Sequence, residues 1–219
     1  MTPKISDPVR ASETEAAILE AARDLLAEGG LEAVSMRSVA GRVGLSATAI
    51  YNYFENKGDL VRQVVHQGFE RFAGYLQDAV KDLPKGSRER MRAHGRAYLR
   101  FALENREYFR VIFAAHGEAG DMDELPAGGG YPMFRQAVAE AMEAGAIRQA
   151  DPDLVVLYLW TLVHGLVTLQ LAFEPNARCP HSGEPLTSLD LFDRFADFVY
   201  QGLRPDSQSL AETAEATTT

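Results

Sequence analysis

Ser46, Thr48, Tyr51 and Asn52 fall within seven consecutive residues, with Ser35 and Arg37 shortly before them and Lys57 shortly after. These types suit contact with a nucleic-acid groove. Asparagine can pair with an adenine edge, and threonine and tyrosine can reach phosphates or a thymine methyl. An exposed helix start can hold a phosphate, and Lys57 stands where an ammonium group can reach the sugar–phosphate backbone. Catalytic chemistry is less well supplied. His164 or His94 could serve as a base, but no Ser/His/Asp set or carboxylate pair stands at usable spacing. His94 and His116 lack a histidine or carboxylate three or four residues away, as a helical zinc site would need. The single cysteine, in Cys179-Pro180-His181, excludes an internal disulfide and a cysteine-based zinc cluster, and a lone loop thiol has nothing guaranteed to depress its pKa. No catalytic residue, cofactor or metal is therefore expected.

The polar residues need a rigid, outward-facing carrier. The block 35–59 predicts two short helices, 36–43 and 47–53, with Ser35 and Ser46 as N-caps. Ala40 is small where they would cross, and Gly44 can take the left-handed conformation that ends the first of them. Val39, Val43, Leu45, Ile50 and Phe54 are spaced to form a miniature core, with Tyr53 also assigned to packing. That core needs a third wall. It comes from a preceding helix with Ile18, Leu19, Ala22, Leu25 and Leu26 on one face, opened by a capping box at Ser12–Glu15 and stopped by Gly29-Gly30. The expected unit is a three-helix helix-turn-helix.

Charge supports this placement. The whole chain carries −9, which argues against nucleic-acid binding by bulk attraction. Over residues 12–34 six acids face Arg23 alone, a net −5, whereas over 35–62 Arg37, Arg42, Lys57 and Arg62 exceed Glu55 and Asp59 for a net +2. The basic patch is local.

The same residues resemble the TetR/AcrR family of bacterial repressors. The resemblance lies in Ile18 to Gly30, Ser35-Met36-Arg37-Ser38-Val39-Ala40, Gly44-Leu45-Ser46, Ile50-Tyr51-Asn52-Tyr53-Phe54 and Asn56-Lys57-Gly58-Asp59-Leu60. It implies DNA contacts from Ser35 and Arg37 on the first helix of the motif, from Ser46, Thr48, Tyr51 and Asn52 on the second, and a phosphate clamp at Lys57. Ala49 stands where many members carry threonine, so one hydroxyl contact is missing. Farther on, Trp160-Thr161-Leu162-Val163-His164-Gly165 resembles the Trp-x-x-x-His-Gly element of a C-terminal subtype, which implies a ligand-binding and dimerisation domain.

The remaining sequence is helical in period, with strand signals almost absent. A long helix starts near Asn56 and ends before Pro84, Ser87 caps another, and an aromatic segment from Tyr108 to Phe113 precedes a glycine-rich acidic loop over 117–130 that is expected to be mobile. Helices follow over 132–144, from Asp151-Pro152, and after Thr187. The fold class is all-α with about nine helices, divided into an N-terminal arm (1–11), a helix-turn-helix domain (12–57), a helical ligand-binding and dimerisation domain (58–204) and a disordered tail (205–219).

Trp160 and His164 share one helix face and can close an apolar effector pocket with Tyr98, Phe101, Phe109, Phe113 and Phe134, although each aromatic alone is equally explained as core. The last two helices are too apolar for one protomer to cover. Pairing with a symmetry mate would make a homodimer through a four-helix interface, reading a palindromic operator. Residues 154–173 carry no charge and reach membrane-spanning length, but polar side chains within them and the absence of a basic flank favour a buried or interface helix. With one cysteine and no apolar N-terminal core, a cytoplasmic protein is expected. The alternatives are a helical enzyme and a helical interaction protein without ligand-gated DNA binding.

Overall fold

The structure, a computed structural model, describes residues 8–114, 130–172, 183 and 186–205. Among these residues there are nine helices and no strands: α1 (Pro8–Ala33), α2 (Met36–Val43), α3 (Ala47–Ile50), α4 (Lys57–Val80), α5 (Arg88–Glu104), α6 (Arg106–Ala114), α7 (Gly130–Glu143), α8 (Pro152–Ala172) and α9 (Ser188–Gly202). They fall into two compact units. The first holds the described residues through Arg71 together with α6, and the second holds Phe72–Glu104 and α7 to α9. Most of the loop over 117–130, the tail after Pro205, residues 1–7 and Cys179 lie outside the described residues.

Three elements depart from the sequence expectation. Helix α1 begins at Pro8, inside the segment expected to be an arm, because proline is preorganised for the first turn. The hydroxyl of Thr14 then donates to the Arg10 carbonyl within the helix, and no cap forms at Ser12. The helical path does break at Gly29 and Gly30, where Gly30 takes φ 65°. Helix α3 is only four residues long, and hydrogen-bonded turns from Asn52 to Ala49 and from Tyr53 to Ile50 carry it on to Phe54.

The third departure concerns α6. The sequence boundary at 57/58 assigned it to the second domain, but it packs in the first unit. The Tyr108 ring lies between the guanidinium groups of Arg23 on α1 and Arg71 on α4, each 5.2 Å from its centroid, and its hydroxyl donates to Gln67. Gly68 makes room for this: a Cβ there would meet Ile112 at 2.6 Å. Helix α4 thus contributes its first part to one unit and its last turns to the other.

The first unit's core joins Ile18, Leu26, Val34, Val39, Ile50, Phe54, Leu60 and Val64, all buried. In the second unit Met91 of α5, Val138 and Met142 of α7, and Val155 and Val156 of α8 form a separate core. Arg90 reaches from α5 to the carbonyls of Val80, the last residue of α4, and of Leu83 in the turn after it. Asp151 accepts from the Asp153 and Leu154 amides at the start of α8, and Thr187 forms a capping box with Asp190 at the start of α9.

Candidate functional site

In the first unit, α2 and α3 are held by reciprocal caps. Ser35 accepts from the Ser38 amide at 3.0 Å while Ser38 accepts from the Ser35 amide at 2.9 Å, and Ser46 accepts from the Ala49 amide at 3.1 Å. Gly44 ends α2 at φ 70° and ψ 27°, as its position in the motif predicts. The inward side of the pair is apolar: Val39, Ile50 and Phe54 are each at most 1% exposed. Leu45 is a correction. Expected in this core, it is 37% exposed, because the left-handed turn at Gly44 leaves it on the outer side of the connection.

The outward side carries the residues singled out by type. Arg37, Thr48 and Asn52 are exposed, and Tyr51 has 56% of its surface accessible. Arg37 has no ion-pair partner among the described residues. Ser35 and Ser46 are exposed too, but their oxygens are committed to caps. Lys57 departs from its expected role. Its ammonium donates to the Leu31 carbonyl at 2.6 Å and is only partly exposed, so at least one donor ties α4 to the end of α1. Just beside it, Asn56 accepts from the Asp59 amide and Asp59 accepts from the Glu55 amide, a second reciprocal cap.

Sequence reasoning missed how the patch is neutralised. Arg42 forms a two-pronged pair with Glu28 of α1, and Arg62 lies 3.5 Å from Asp59. The Glu28–Arg42 pair joins residues 14 apart in sequence and leaves no local signature, whereas the Asp59–Arg62 pair lies within one turn of α4.

In the second unit, Tyr98 of α5 accepts from the Trp160 indole at 3.3 Å and meets His164 Nδ1 at 2.8 Å. Burial lowers the His164 pKa, so with a neutral ring the phenol donates to Nδ1. Burial also raises the Tyr98 pKa, keeping the phenol protonated. The expected grouping of Tyr98, Trp160 and His164 is present. Phe101 packs against Phe72 and Tyr75, and Phe134 against His94. Phe109 and Phe113 pack on each other in the first unit with tilted rings, centroids 4.8 Å apart. No group of three or more potential metal ligands occurs among the described residues.

His94 is buried, and burial pushes its pKa down to about 4. The folded state keeps this imidazole neutral while the unfolded chain protonates it near the ordinary value of 6.5. Stability is therefore full above about pH 6.5 and is lost as pH falls toward about 4, by up to about 3 kcal/mol. Urea titrations followed by fluorescence of the one tryptophan, Trp160, should show this loss in the wild type and a smaller one in His94→Phe. Equal acid sensitivity of the two proteins would contradict the assignment.

Helix α8 is long and apolar enough to cross a membrane, yet it packs from one side. Val155, Val156, Val163 and Val167 are buried, while Leu154, Leu157, Tyr158, Leu162 and Leu169 are exposed at 40–61%. On α9, Phe198 is 79% exposed. Gln170 of α8 accepts from Ser188 of α9 at 2.8 Å in a buried contact, which fixes the register of the two helices.

Two stretches of the chain match known family models. Residues 18–64 match the family model described as bacterial regulatory proteins, tetR family, and residues 91–197 match the one described as tetracyclin repressor-like, C-terminal domain. An HTH-type transcriptional regulator of Staphylococcus aureus is 27% identical over 108 residues, covering 49% of this chain and 58% of that protein. The HTH-type transcriptional activator FasR of Mycolicibacterium smegmatis is 26% identical over 101 residues, 46% of each chain. The matches thus span about half the length of these curated relatives. In fold, the chain is similar to a solved TetR family transcription regulator from Marinobacter aquaeolei, with TM-score 0.70 and 23% identity over 90% of this chain and 98% of that one.

Proposed function

The chain belongs to the TetR family, whose members are soluble, non-enzymatic DNA-binding regulators that dimerise and bind small-molecule effectors, and from that premise we propose that it is a cytoplasmic repressor released from a palindromic operator by a largely apolar effector. One observation carries the reading: Arg37, Thr48, Tyr51 and Asn52 face outward from a helix pair whose other side is sealed core. Arg37 anchors on phosphate or base, and Asn52 and Tyr51 read the groove. Ser35 and Ser46 contribute through their caps and Lys57 through its hold on Leu31, with spare donors toward the DNA backbone.

The helix-turn-helix domain over 12–57, against which the first part of α4 and α6 pack, is joined to an effector and dimerisation domain drawn from the rest of 58–204, with the Trp160-x-x-x-His164-Gly165 element as its subtype mark. Tyr98, Phe101, Phe134, Trp160 and His164, all in the second unit, line the effector site. The uncovered apolar stripe of α8, with Phe198 of α9, pairs with a second copy, which presents two readers about 34–36 Å apart. Effector entry favours a different spacing of the readers, and operator DNA weakens effector binding reciprocally.

Fluorescence anisotropy on DNA flanking the protein's own gene tests this reading. Arg37→Ala is expected to weaken all duplexes alike and to lower the salt slope by about one, while Asn52→Ala costs about 1–3 kcal/mol at one base position. Absence of any salt-dependent duplex binding by the wild type would refute the regulator.

A further inference from the structure

His94 lies on α5 with 2% of its surface exposed, one turn before Tyr98. Its Nδ1 is 3.0 Å from the Arg90 carbonyl, the preceding turn's acceptor, so the proton sits on Nδ1 and Nε2 presents a lone pair. No donor among the described residues reaches Nε2, although it is fully buried. An unmet buried acceptor leaves its desolvation penalty uncompensated, and a phenylalanine would occupy similar space without that cost. A charge-based role is disfavoured. Burial opposes protonation more than the Arg90 carbonyl and Glu140 of α7 favour it.

The surroundings suit an apolar guest. The ring packs against Phe134 of α7 with centroids 5.9 Å apart. Phe134 in turn lines a cavity of about 50 Å³, with Met91 and Gly95 from α5 and Leu159 and Val163 from α8 among its walls. Met91 and Gly95 bracket His94 along its helix, and Leu159 and Val163 immediately precede Trp160 and His164. One aromatic ring therefore separates an apolar space from an unmatched acceptor.

We propose that His94 Nε2 is the polar anchor of the effector site, accepting a hydrogen bond from the O–H or N–H of a neutral, otherwise apolar molecule that swings the half-buried Phe134 ring aside and takes both its place and the cavity behind it. The inference rests on the effector-responsive reading and narrows it to a chemical class. Alcohols, phenols and amides carry the needed donor. A carboxylate does not, because it would set its own lone pairs against that of Nε2.

Three matched probes test the class on the full chain at neutral pH without DNA: 2-naphthol, 2-methylnaphthalene and 2-naphthoate. Binding is expected for 2-naphthol about tenfold more tightly than for 2-methylnaphthalene, equivalent to about 1.4 kcal/mol, with 2-naphthoate weakest. His94→Phe should erase the preference for the phenol, and His94→Gln, which keeps an acceptor, should restore part of it. The ¹⁵N resonance of Nε2 should move with 2-naphthol and stay still with 2-methylnaphthalene, a response that a packing role would not produce. Equal binding of the first two probes, no binding of any, or a preference surviving in His94→Phe would each overturn the proposal. An Nε2 already hydrogen-bonded before any probe is added would identify an internal water as its partner and overturn it too. Failure of the regulator reading shows elsewhere, as absent operator binding in the probe-free protein.

Discussion

Phe54→Ala is expected to destabilise the first unit by about 3–5 kcal/mol and to abolish duplex binding. The ring is 1% exposed and closes the core shared by Ile50, Val39, Leu60 and Val64. Its backbone amide also bonds the Ile50 carbonyl, ending the hydrogen-bonded turn that holds Tyr51 and Asn52 outward. Deleting the ring removes buried apolar surface and leaves a cavity under the reader itself, since α3 is too short to persist without tertiary support. Trp160 lies in the second unit, so its fluorescence reports that unit separately. Circular dichroism should reveal an early urea transition in Phe54→Ala that Trp160 fluorescence does not share. A variant within about 1 kcal/mol of wild type that still binds duplex DNA would show that the outward presentation of Tyr51 and Asn52 does not depend on this core.

The contrast between Phe54 and Leu45 shows what the sequence could disclose. Both are apolar residues in the same motif, and spacing alone assigned both to the core. Phe54 follows a regular helical turn, so its direction obeys the helical period. Leu45 follows Gly44, whose left-handed backbone resets the direction of the chain, and period arguments lapse there. The caps at Ser35, Ser46, Asp151 and Thr187 were legible because each is closed within three residues. By the same logic, the attachment of α6 to the first unit was not, because Arg23, Arg71 and Tyr108 come from three separated segments. The Glu28–Arg42 pair and the hold of Lys57 on Leu31 belong to the same class of long-range contact. For the candidate site, residue types pointed correctly to an exposed polar face. Which cations remain uncommitted required coordinates. His94 is the sharpest instance. It drew notice only as a possible base or metal ligand, and its unmatched Nε2 emerges only once burial and the Arg90 bond are known.

Phe198→Asp is expected to convert a dimer into a monomer without unfolding the protomer, and to cost operator affinity at least about a hundredfold. Within one protomer Phe198 is 79% exposed, so the carboxylate stays solvated and the chain loses little. In a two-fold interface every substitution appears twice. Each carboxylate would be taken from water without a partner, at several kcal/mol apiece, and about 6 kcal/mol in total raises the dimer dissociation constant by about four orders of magnitude. The exposed stripe of α8 gives the same argument a second entry point, because Leu157 and Tyr158 are 42% and 61% exposed on the side away from the Val155–Val156 core contacts. Analytical ultracentrifugation of the wild type and of Phe198→Asp decides the matter. A wild type that sediments as a monomer at micromolar concentration, or a variant that remains dimeric, removes the interface from these two helices. The experiment also separates a protein partner from a lipid one: a stripe meant for a membrane would leave the detergent-free wild type aggregated or vesicle-bound, whereas a stripe meant for a second copy yields a discrete dimer whose stability one buried charge controls.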